Sequence, residues 1–212
     1  MVEKAKFIWF DGKFIPWEQA QVHVLTHTLH YGLGVFEGIR AYQCVDGRTA
    51  IFRLREHIQR LYNSAHVMMI DIPFPQAEID AVCCELLRRN DQKEAYIRPL
   101  VFLGEGVMGL YPKGSPIQVA VISWVWGAYL GEEGLRQGIR VKTSSFIRHH
   151  VNIMMTKTKP AAASHRAART RDRELSEGDK AAQGTRGRTT PLSIAPRCSR
   201  RCLAVLRCSA GA

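Results

Sequence analysis

The chain has 212 residues, of which 46% are hydrophobic and 23% are charged. This length suits one large or two small domains with a buried core, and the composition excludes a wholly disordered, collagen-like or membrane-spanning chain. No apolar run approaches the roughly 20 residues that cross a bilayer, and no apolar stretch near the first residues resembles a secretion signal. We therefore expect a cytoplasmic protein without a membrane partner.

The net charge of +11 is unevenly distributed along the chain. Residues 160–212 hold 11 of the 30 Lys and Arg but only 4 of the 19 Asp and Glu, so this tail carries +7 and the first 159 residues carry +4. All of the 8 Phe, 6 Tyr and 4 Trp precede position 160. A segment without aromatic residues has little from which to build a core, so the pattern predicts a folded body followed by a basic, disordered tail.

Two β-hairpins are predicted first. Residues 7–10 and 13–16 are rich in β-prone residues and flank Asp11-Gly12, a dipeptide typical of type I′ turns. Residues 39–42 and 49–52 flank a second turn, at 45–48, which contains Asp-Gly again.

Two helices and three strands are predicted next. Apolar residues recur at helical spacing over 54–69 and 76–90, and prolines separate the two segments. Buried strands are predicted at 95–103, 117–123 and 139–143, with glycine-rich loops at 104–106 and 127–134. Since helices and strands do not alternate regularly, the order predicts an α+β fold and not a doubly wound sheet.

The six cysteines form no recognisable metal or redox motif. They stand at positions 44, 83, 84, 198, 202 and 208, without a CxxC pair or matching histidines, so we expect free thiols and no metal. The sequence also lacks the glycine-rich nucleotide motifs, the GxSxG motif and the HExxH motif.

Four sequence blocks occur in order along the body: HTLHYGLGVFEGIR at 27–40, REHIQRL at 55–61, AYIRPL at 95–100 and WGAYLG at 126–131. Together they resemble the branched-chain amino acid aminotransferases, which are fold-type IV pyridoxal-phosphate enzymes. The agreement of four blocks is more specific than a single short motif. The resemblance extends over about residues 8–159 and implies pyridoxal 5′-phosphate as the cofactor.

The resemblance also implies a division into domains. Residues 1–125 would form the small α+β domain, 126–137 the interdomain loop and 138–159 the start of the large cofactor-binding domain. Residues 160–212 match nothing in the family. The implied reaction transfers an amino group between leucine, isoleucine or valine and 2-oxoglutarate, as in branched-chain amino acid biosynthesis.

Two residues are expected to hold the cofactor. In the family, the arginine at the position of Arg60 holds the cofactor phosphate, and a guanidinium fork matches a phosphate with two parallel hydrogen bonds. Without the resemblance, the alternative interpretation of Arg60 is an ordinary exposed arginine on a helix. The lysine that forms the Schiff base corresponds to Lys159, the expected catalytic residue, with Lys157 as its rival in register.

The substrate site must accept both an aliphatic side chain and the γ-carboxylate of glutamate. An arginine in an apolar strand is costly unless it meets an anion, which agrees with a carboxylate-binding role for Arg98. By resemblance, the substrate-binding residues are Tyr31, Phe36, Gly38, Tyr96, Arg98, Trp126 and Tyr129. For the aromatic residues, plain core packing is the alternative.

The loop at 104–112 reaches the active site of the neighbouring subunit in this family. The resemblance therefore implies a homo-oligomer, at least a homodimer, with small-molecule amino acid and 2-oxo acid substrates.

After Lys159 the sequence departs from the family. The family continues with an Asn-Tyr motif and a long segment that carries the acidic partner of the pyridine nitrogen and the rest of the phosphate site. Here an Ala/Arg/Ser/Gly-rich tail follows instead. We interpret residues 160–212 as an out-of-frame tail, and we expect the truncated chain to be weakly active or inactive.

Two alternatives differ in function. A D-amino acid aminotransferase or an aminodeoxychorismate lyase would share the lysine and the phosphate arginine but differ around residues 31–40 and 95–100. A nucleic-acid-binding protein would use the basic tail. Acidic residues are interspersed in that tail and it has no aromatic residues, and both features argue against a nucleic-acid role.

Overall fold

The structure, a computed structural model, describes residues 3–127, 136–138 and 157–161. The predicted strand at 139–143, most of the loop at 127–134, Tyr129, the last three cysteines and nearly all of the tail lie outside this described part. The described elements are β1 (Phe7–Phe10), β2 (Lys13–Pro16), a 3-10 turn (Trp17–Gln19), α1 (His27–Tyr31), β3 (Gly34–Phe36), β4 (Ile39–Gln43), β5 (Thr49–Ile51), α2 (Leu54–Val67), α3 (Gln76–Arg89), β6 (Ala95–Leu103) and β7 (Ile117–Trp124).

The seven strands form one antiparallel sheet. Its order is β2-β1-β7-β6-β4-β5, and β3 also pairs with β6. Strands β3 and β4 pair with different halves of β6 in a single continuous register, Gly34 opposite Phe102 and Ile39 opposite Ile97. They therefore act as one strand that is interrupted at residues 37 and 38.

Helices α2 and α3 cover one face of the sheet. Helix α2 packs against β3, and α3 packs against β1 and β7. The buried helical residues repeat at three- and four-residue intervals, as expected for one apolar face; they are Leu54, Ile58, Leu61, Ala65, Ile79, Val82, Cys83, Leu86 and Leu87. Alternate strand residues such as Val35, Ile39 and Ile97 meet them and are fully buried.

Asn90, just after α3, connects this helix to the sheet. Its side-chain amide exchanges hydrogen bonds with the backbone of Phe7 at 2.8 and 3.0 Å, and it donates to the buried Ser123 Oγ at 3.0 Å. Three polar groups are thereby satisfied where β1, β7 and α3 meet.

The α+β fold is confirmed, and most predicted elements lie within two residues of their expected bounds. The first hairpin turn has positive φ at Asp11 and Gly12, 44° and 88°, as the Asp-Gly dipeptide predicts. The short α1 and β3 were not predicted from the sequence.

Candidate active site

Strand register places several predicted site residues on the open face of the sheet. Because side chains alternate between faces and antiparallel partners share a face, Phe36, Gly38 and Arg40 lie opposite the helices. Tyr96 and Arg98 of β6 share this face, since Tyr96 pairs with both Arg40 and Trp124. The intervening residues, such as Val35 and Ile39, face the core.

Arg98 lies at the centre of an aromatic cluster on this face. Its guanidinium carbon is 4.7 Å from the ring centroid of Phe36, 5.1 Å from that of Tyr96 and 5.7 Å from that of Trp124. Its Nη2 donates to the Tyr96 hydroxyl at 2.9 Å, whereas its buried Nε has no hydrogen-bond partner in the described part of the chain. An anion beside this Nε would satisfy a donor that is otherwise costly to bury.

Trp126 extends the aromatic cluster. Its ring meets Tyr96 edge-on at 4.9 Å between centroids, and its carbonyl accepts a hydrogen bond from Arg40 Nη1 at 3.2 Å. Phe36, Tyr96, Arg98 and Trp126 are thus brought together as a group.

Gly38 provides the space that Tyr96 occupies. A Cβ at position 38 would overlap the Tyr96 hydroxyl oxygen. Glycine is therefore needed at position 38 for close packing. Its φ is not positive, so the backbone conformation does not by itself require glycine.

Arg60 lies on α2, on the helical side of the sheet, and is held by Glu37. The Arg60 Nε and Nη2 donate to the two Glu37 oxygens at 2.5 and 2.7 Å. Arg60 Nη2 also lies 3.4 Å from His57 Nδ1. A guanidinium has five N–H groups, and within the described part of the chain this side-on pair leaves those of Nη1, at its outer edge, for another anion. The Arg60 side chain is 52% exposed, which leaves that edge accessible.

Glu37 itself is completely buried at the interruption between β3 and β4. His57 Nδ1 donates to its Oε2 at 2.9 Å, because a carboxylate can only accept. Burial raises the pKa of Glu37, but hydrogen bonds from His57 and Arg60, the charge of Arg60 and the Gly38 N–H together lower it from 4.5 to about 2. Glu37 is therefore an anion near neutral pH and orients the guanidinium of Arg60.

Lys159 lies beside β3. The bridge between Val35 and Pro160 places Lys159 opposite Phe36, and the Phe36 N–H donates to the Lys159 carbonyl at 3.2 Å. The Lys159 amine is 5.0 Å from the Phe36 ring centroid. Its backbone N–H donates to Ser64 Oγ at 3.3 Å. Lys157 is exposed and has no comparable described contact.

The class IV amino-transferase family matches residues 34–174, about two thirds of the chain. The chain belongs to this family.

Similar class IV members are branched-chain-amino-acid aminotransferases. The Pseudomonas aeruginosa enzyme is 52% identical over 163 residues, which are 77% of this chain and 53% of that protein. The Escherichia coli enzyme is 44% identical over 158 residues, 74% of this chain and 51% of that protein. The chain thus spans about half the length of the curated relatives it matches.

Solved structures of class IV enzymes have the same fold. The crystal structure of the Escherichia coli branched-chain amino acid aminotransferase matches with a TM-score of 0.74 and 42% identity, over 76% of this chain and 53% of that one. The Thermoproteus uzoniensis branched-chain aminotransferase with norvaline matches with a TM-score of 0.71 and 32% identity, over 78% and 55% of the two chains. The Thermobaculum terrenum enzyme in its PLP-form matches with a TM-score of 0.66 and 26% identity, over 78% and 56%.

Tyr31 does not join the residues around Arg98 in this class IV chain. Within the described part, its ring lies 4.5 Å from His27 and 6.3 Å from His30, and 42% of the residue is exposed. Tyr129 lies outside the described residues. Sequence reasoning also missed Glu37, Ser64 and Trp124; of these, only Glu37 stood within a quoted block.

The described residues hold neither a helix that could cross a bilayer nor a cluster of three potential metal ligands.

Proposed function

We propose that this chain corresponds to the first half of a branched-chain-amino-acid aminotransferase that uses pyridoxal 5′-phosphate. The complete reaction would transfer an amino group between leucine, isoleucine or valine and 2-oxoglutarate. The observation that carries the proposal is the 52% identity to the Pseudomonas aeruginosa enzyme over 163 residues, which are 77% of this chain. The cytoplasmic location expected from the sequence remains part of the proposal.

The cofactor assignment rests on Arg60 and Lys159. Arg60 offers its outer edge to a phosphate, while Glu37 fixes its inner edge. The Lys159 amine lies 5.0 Å from the Phe36 ring centroid, and a lysine amine is the group that forms a Schiff base with an aldehyde. Bound at these residues, the cofactor would supply the electron-withdrawing ring that takes up charge from the substrate Cα. Lys159 would then carry the proton that leaves that carbon.

The substrate assignment rests on the Arg98 cluster. The unpartnered Nε of Arg98 suits a substrate carboxylate, and the Tyr96 hydroxyl adds a second polar group. The rings of Phe36 and Trp126 suit an aliphatic side chain. Gly38 leaves the space that Tyr96 occupies. Tyr129 is proposed as a further residue that lines the substrate site.

A homodimer is supported by an exposed apolar surface away from this cluster. Val24, Leu29, Leu110 and Tyr111 are 64–89% exposed. The two segments that carry them are joined by the pairing of Thr26 with Glu105. Apolar surface of this kind marks a protein interface, and we propose a second copy as the partner. Since Tyr31 lies on this surface, its proposed role is at the site of the neighbouring copy.

The 212-residue chain is proposed to be weakly active or inactive, because it spans only about half the length of the relatives it matches. A D-amino acid aminotransferase or an aminodeoxychorismate lyase is not favoured, since the similar proteins and structures are branched-chain enzymes. A nucleic-acid role of the tail gains no support from these comparisons.

A chimera tests the proposal. Residues 1–161 are joined to the second half of the Pseudomonas aeruginosa relative, and turnover of leucine with 2-oxoglutarate is measured with added pyridoxal 5′-phosphate. We expect the chimera to be active, with at least about 100-fold loss on Lys159→Ala because the reacting amine is removed. Lys157→Ala is the matched control and should retain activity.

Two outcomes would contradict the proposal. A chimera that prefers D-alanine to leucine would overturn the substrate assignment. Full turnover by the 212-residue chain alone would overturn the expectation that this chain is weakly active.

A further inference from the structure

Ser64 contacts both residues on which the cofactor assignment rests. It lies on α2 one turn after Arg60 and is 1% exposed. Its hydroxyl donates to the Arg60 carbonyl at 2.8 Å and accepts the N–H of Lys159 at 3.3 Å. A serine hydroxyl has one hydrogen to donate and two lone pairs, so it makes both bonds at once.

The first of these bonds is ordinary, whereas the second is not. Serines within helices commonly donate to the carbonyl four residues earlier, and that bond alone would carry no functional meaning. The bond from Lys159 comes from a residue 95 positions later in the chain. It joins α2 directly to the segment beside β3.

The other side of the Lys159 backbone is also held. Its carbonyl accepts the Phe36 N–H, and Pro160 pairs with Val35. Ser64 therefore completes a set of contacts that fixes the backbone of Lys159 between β3 and α2. Without the hydroxyl, the Lys159 N–H would lose its only described partner, and a half-buried amide without a partner is unfavourable.

We propose that Ser64 is a positioning residue that fixes Lys159 relative to Arg60, so that one ligand with both an aldehyde and a phosphate reaches the two residues together. The proposal rests on the function above, in which Arg60 takes the phosphate and Lys159 takes the aldehyde. Ser64 acts through the backbone of Lys159 and does not itself touch the ligand.

The test compares two aldehydes on the full 212-residue chain. Pyridoxal 5′-phosphate and pyridoxal are each added, borohydride traps the lysine adducts, and peptide mass mapping gives the labelling rates of Lys159 and of exposed Lys157. The ratio of Lys159 to Lys157 labelling cancels the intrinsic reactivity of each reagent. The phosphate preference is this ratio for pyridoxal 5′-phosphate divided by the ratio for pyridoxal.

In the unaltered chain we expect a phosphate preference of about tenfold, because binding at Arg60 raises the local concentration of the aldehyde. Inorganic phosphate should compete and reduce it. Ser64→Ala should reduce the preference to about twofold or less while the labelling of Lys159 by pyridoxal changes little. Amide hydrogen exchange at Lys159 should accelerate at least about tenfold as its acceptor is lost.

Controls separate positioning from folding. Ser123→Ala removes another buried serine hydroxyl, at the contact with Asn90, and should keep the full phosphate preference. Ser64→Cys keeps the side-chain shape with a somewhat larger atom in place of the oxygen, and it replaces the hydroxyl with a poor hydrogen-bonding group. If the alanine variant fails to fold, Ser64→Cys still tests the proposal, and its phosphate preference should likewise be about twofold or less.

The outcomes distinguish the two proposals. If the unaltered chain shows no phosphate preference, the assignment of Arg60 fails and the role of Ser64 fails with it. If the unaltered chain shows the preference and both Ser64 variants retain it, Ser64 has no positioning role, whereas the cofactor assignment stands.

Discussion

Glu37 is a charged residue without solvent exposure, and its charge is compensated by two neighbours. Arg60 and His57 donate to its oxygens, and both come from the same turn of α2. Removing one partner of a buried ion pair is strongly unfavourable because the other charge is left without compensation. Glu37 therefore both stabilises the junction of β3 and α2 and orients Arg60.

The low pKa of Glu37 predicts a specific dependence of stability on pH. A pKa lowered from 4.5 to about 2 corresponds to about 3 kcal/mol of folding stability. Because the folded pKa is the lower one, this contribution is complete above about pH 5 and is lost as the pH falls from 4.5 towards 2. Glu37→Gln should cost about 2–4 kcal/mol at pH 7, measured by urea unfolding followed through tryptophan fluorescence. The difference from the unaltered chain should shrink steadily below about pH 4.5.

Glu85→Gln is the control for this prediction. Hydrogen bonds from Arg89 and Arg88 lower the pKa of Glu85, but its side chain is 38% exposed. Exposed ion pairs contribute little, so this variant should change stability by less than about 0.5 kcal/mol. A Glu37→Gln effect that stays constant from about pH 7 to about pH 3 would contradict the argument.

The sequence predicted which residues belong to the candidate site, from the four sequence blocks of the resemblance, but it did not predict the burial or the contacts of those residues. Arg60 and Arg98 were predicted from the family resemblance, and the structure gives each a setting that suits an anion. Glu37 was printed in the same block, yet nothing in the sequence distinguishes a buried glutamate from an exposed one. Its burial depends on the β3–β6 pairing, which joins residues more than 60 positions apart.

At the level of elements, the interrupted β3–β4 strand organises both sides of the site. Glu37 faces the helices at the interruption, and Gly38 faces the open side, where Tyr96 fills the space above it. Two consecutive residues thereby contact Arg60 on one face and Tyr96 of the Arg98 cluster on the other.

Gly38→Ala should displace Tyr96. The new Cβ would overlap its hydroxyl oxygen, so Tyr96 must move and release Arg98. We expect a loss of about 1–3 kcal/mol in the free energy of unfolding. In a Tyr96→Ala background the same change should cost less than about 0.5 kcal/mol, because the clash is absent. Urea unfolding of the four proteins measures this coupling.

Gly109→Ala is the matched control, since a Cβ there meets nothing within 4 Å. It should leave stability nearly unchanged. Equal costs of Gly38→Ala with and without the Tyr96 ring would show that the glycine is needed for a reason other than this contact.

Periodicity explains which elements the sequence could predict. Helices α2 and α3 have 14 residues each, long enough for the apolar repeat to be visible, and the first hairpin carries an Asp-Gly turn. Helix α1 has five residues and β3 has three, which is too short for either period. These elements form through contacts with β6 that are distant in sequence.

Across the whole molecule, the two faces of the sheet differ. The helical face is a complete core, with Val35, Ile39, Ile97 and Val101 fully buried. On the other face the residues around Arg98 are only half-buried within the described part of the chain. The chain spans about half the length of the relatives it matches.

The coding DNA provides the last prediction. The family match continues to residue 174, but after Lys159 the sequence becomes rich in Ala, Arg, Ser and Gly without a single aromatic residue. An abrupt change of composition at one residue is what a shift of reading frame produces. We therefore expect one of the other two frames, translated from codon 160 onward, to encode Asn-Tyr shortly after the lysine and then a long sequence with ordinary aromatic content. Sequencing the gene across codons 150–212 and downstream checks this. Stop codons soon after codon 160 in both other frames would overturn the interpretation of residues 160–212 as an out-of-frame tail.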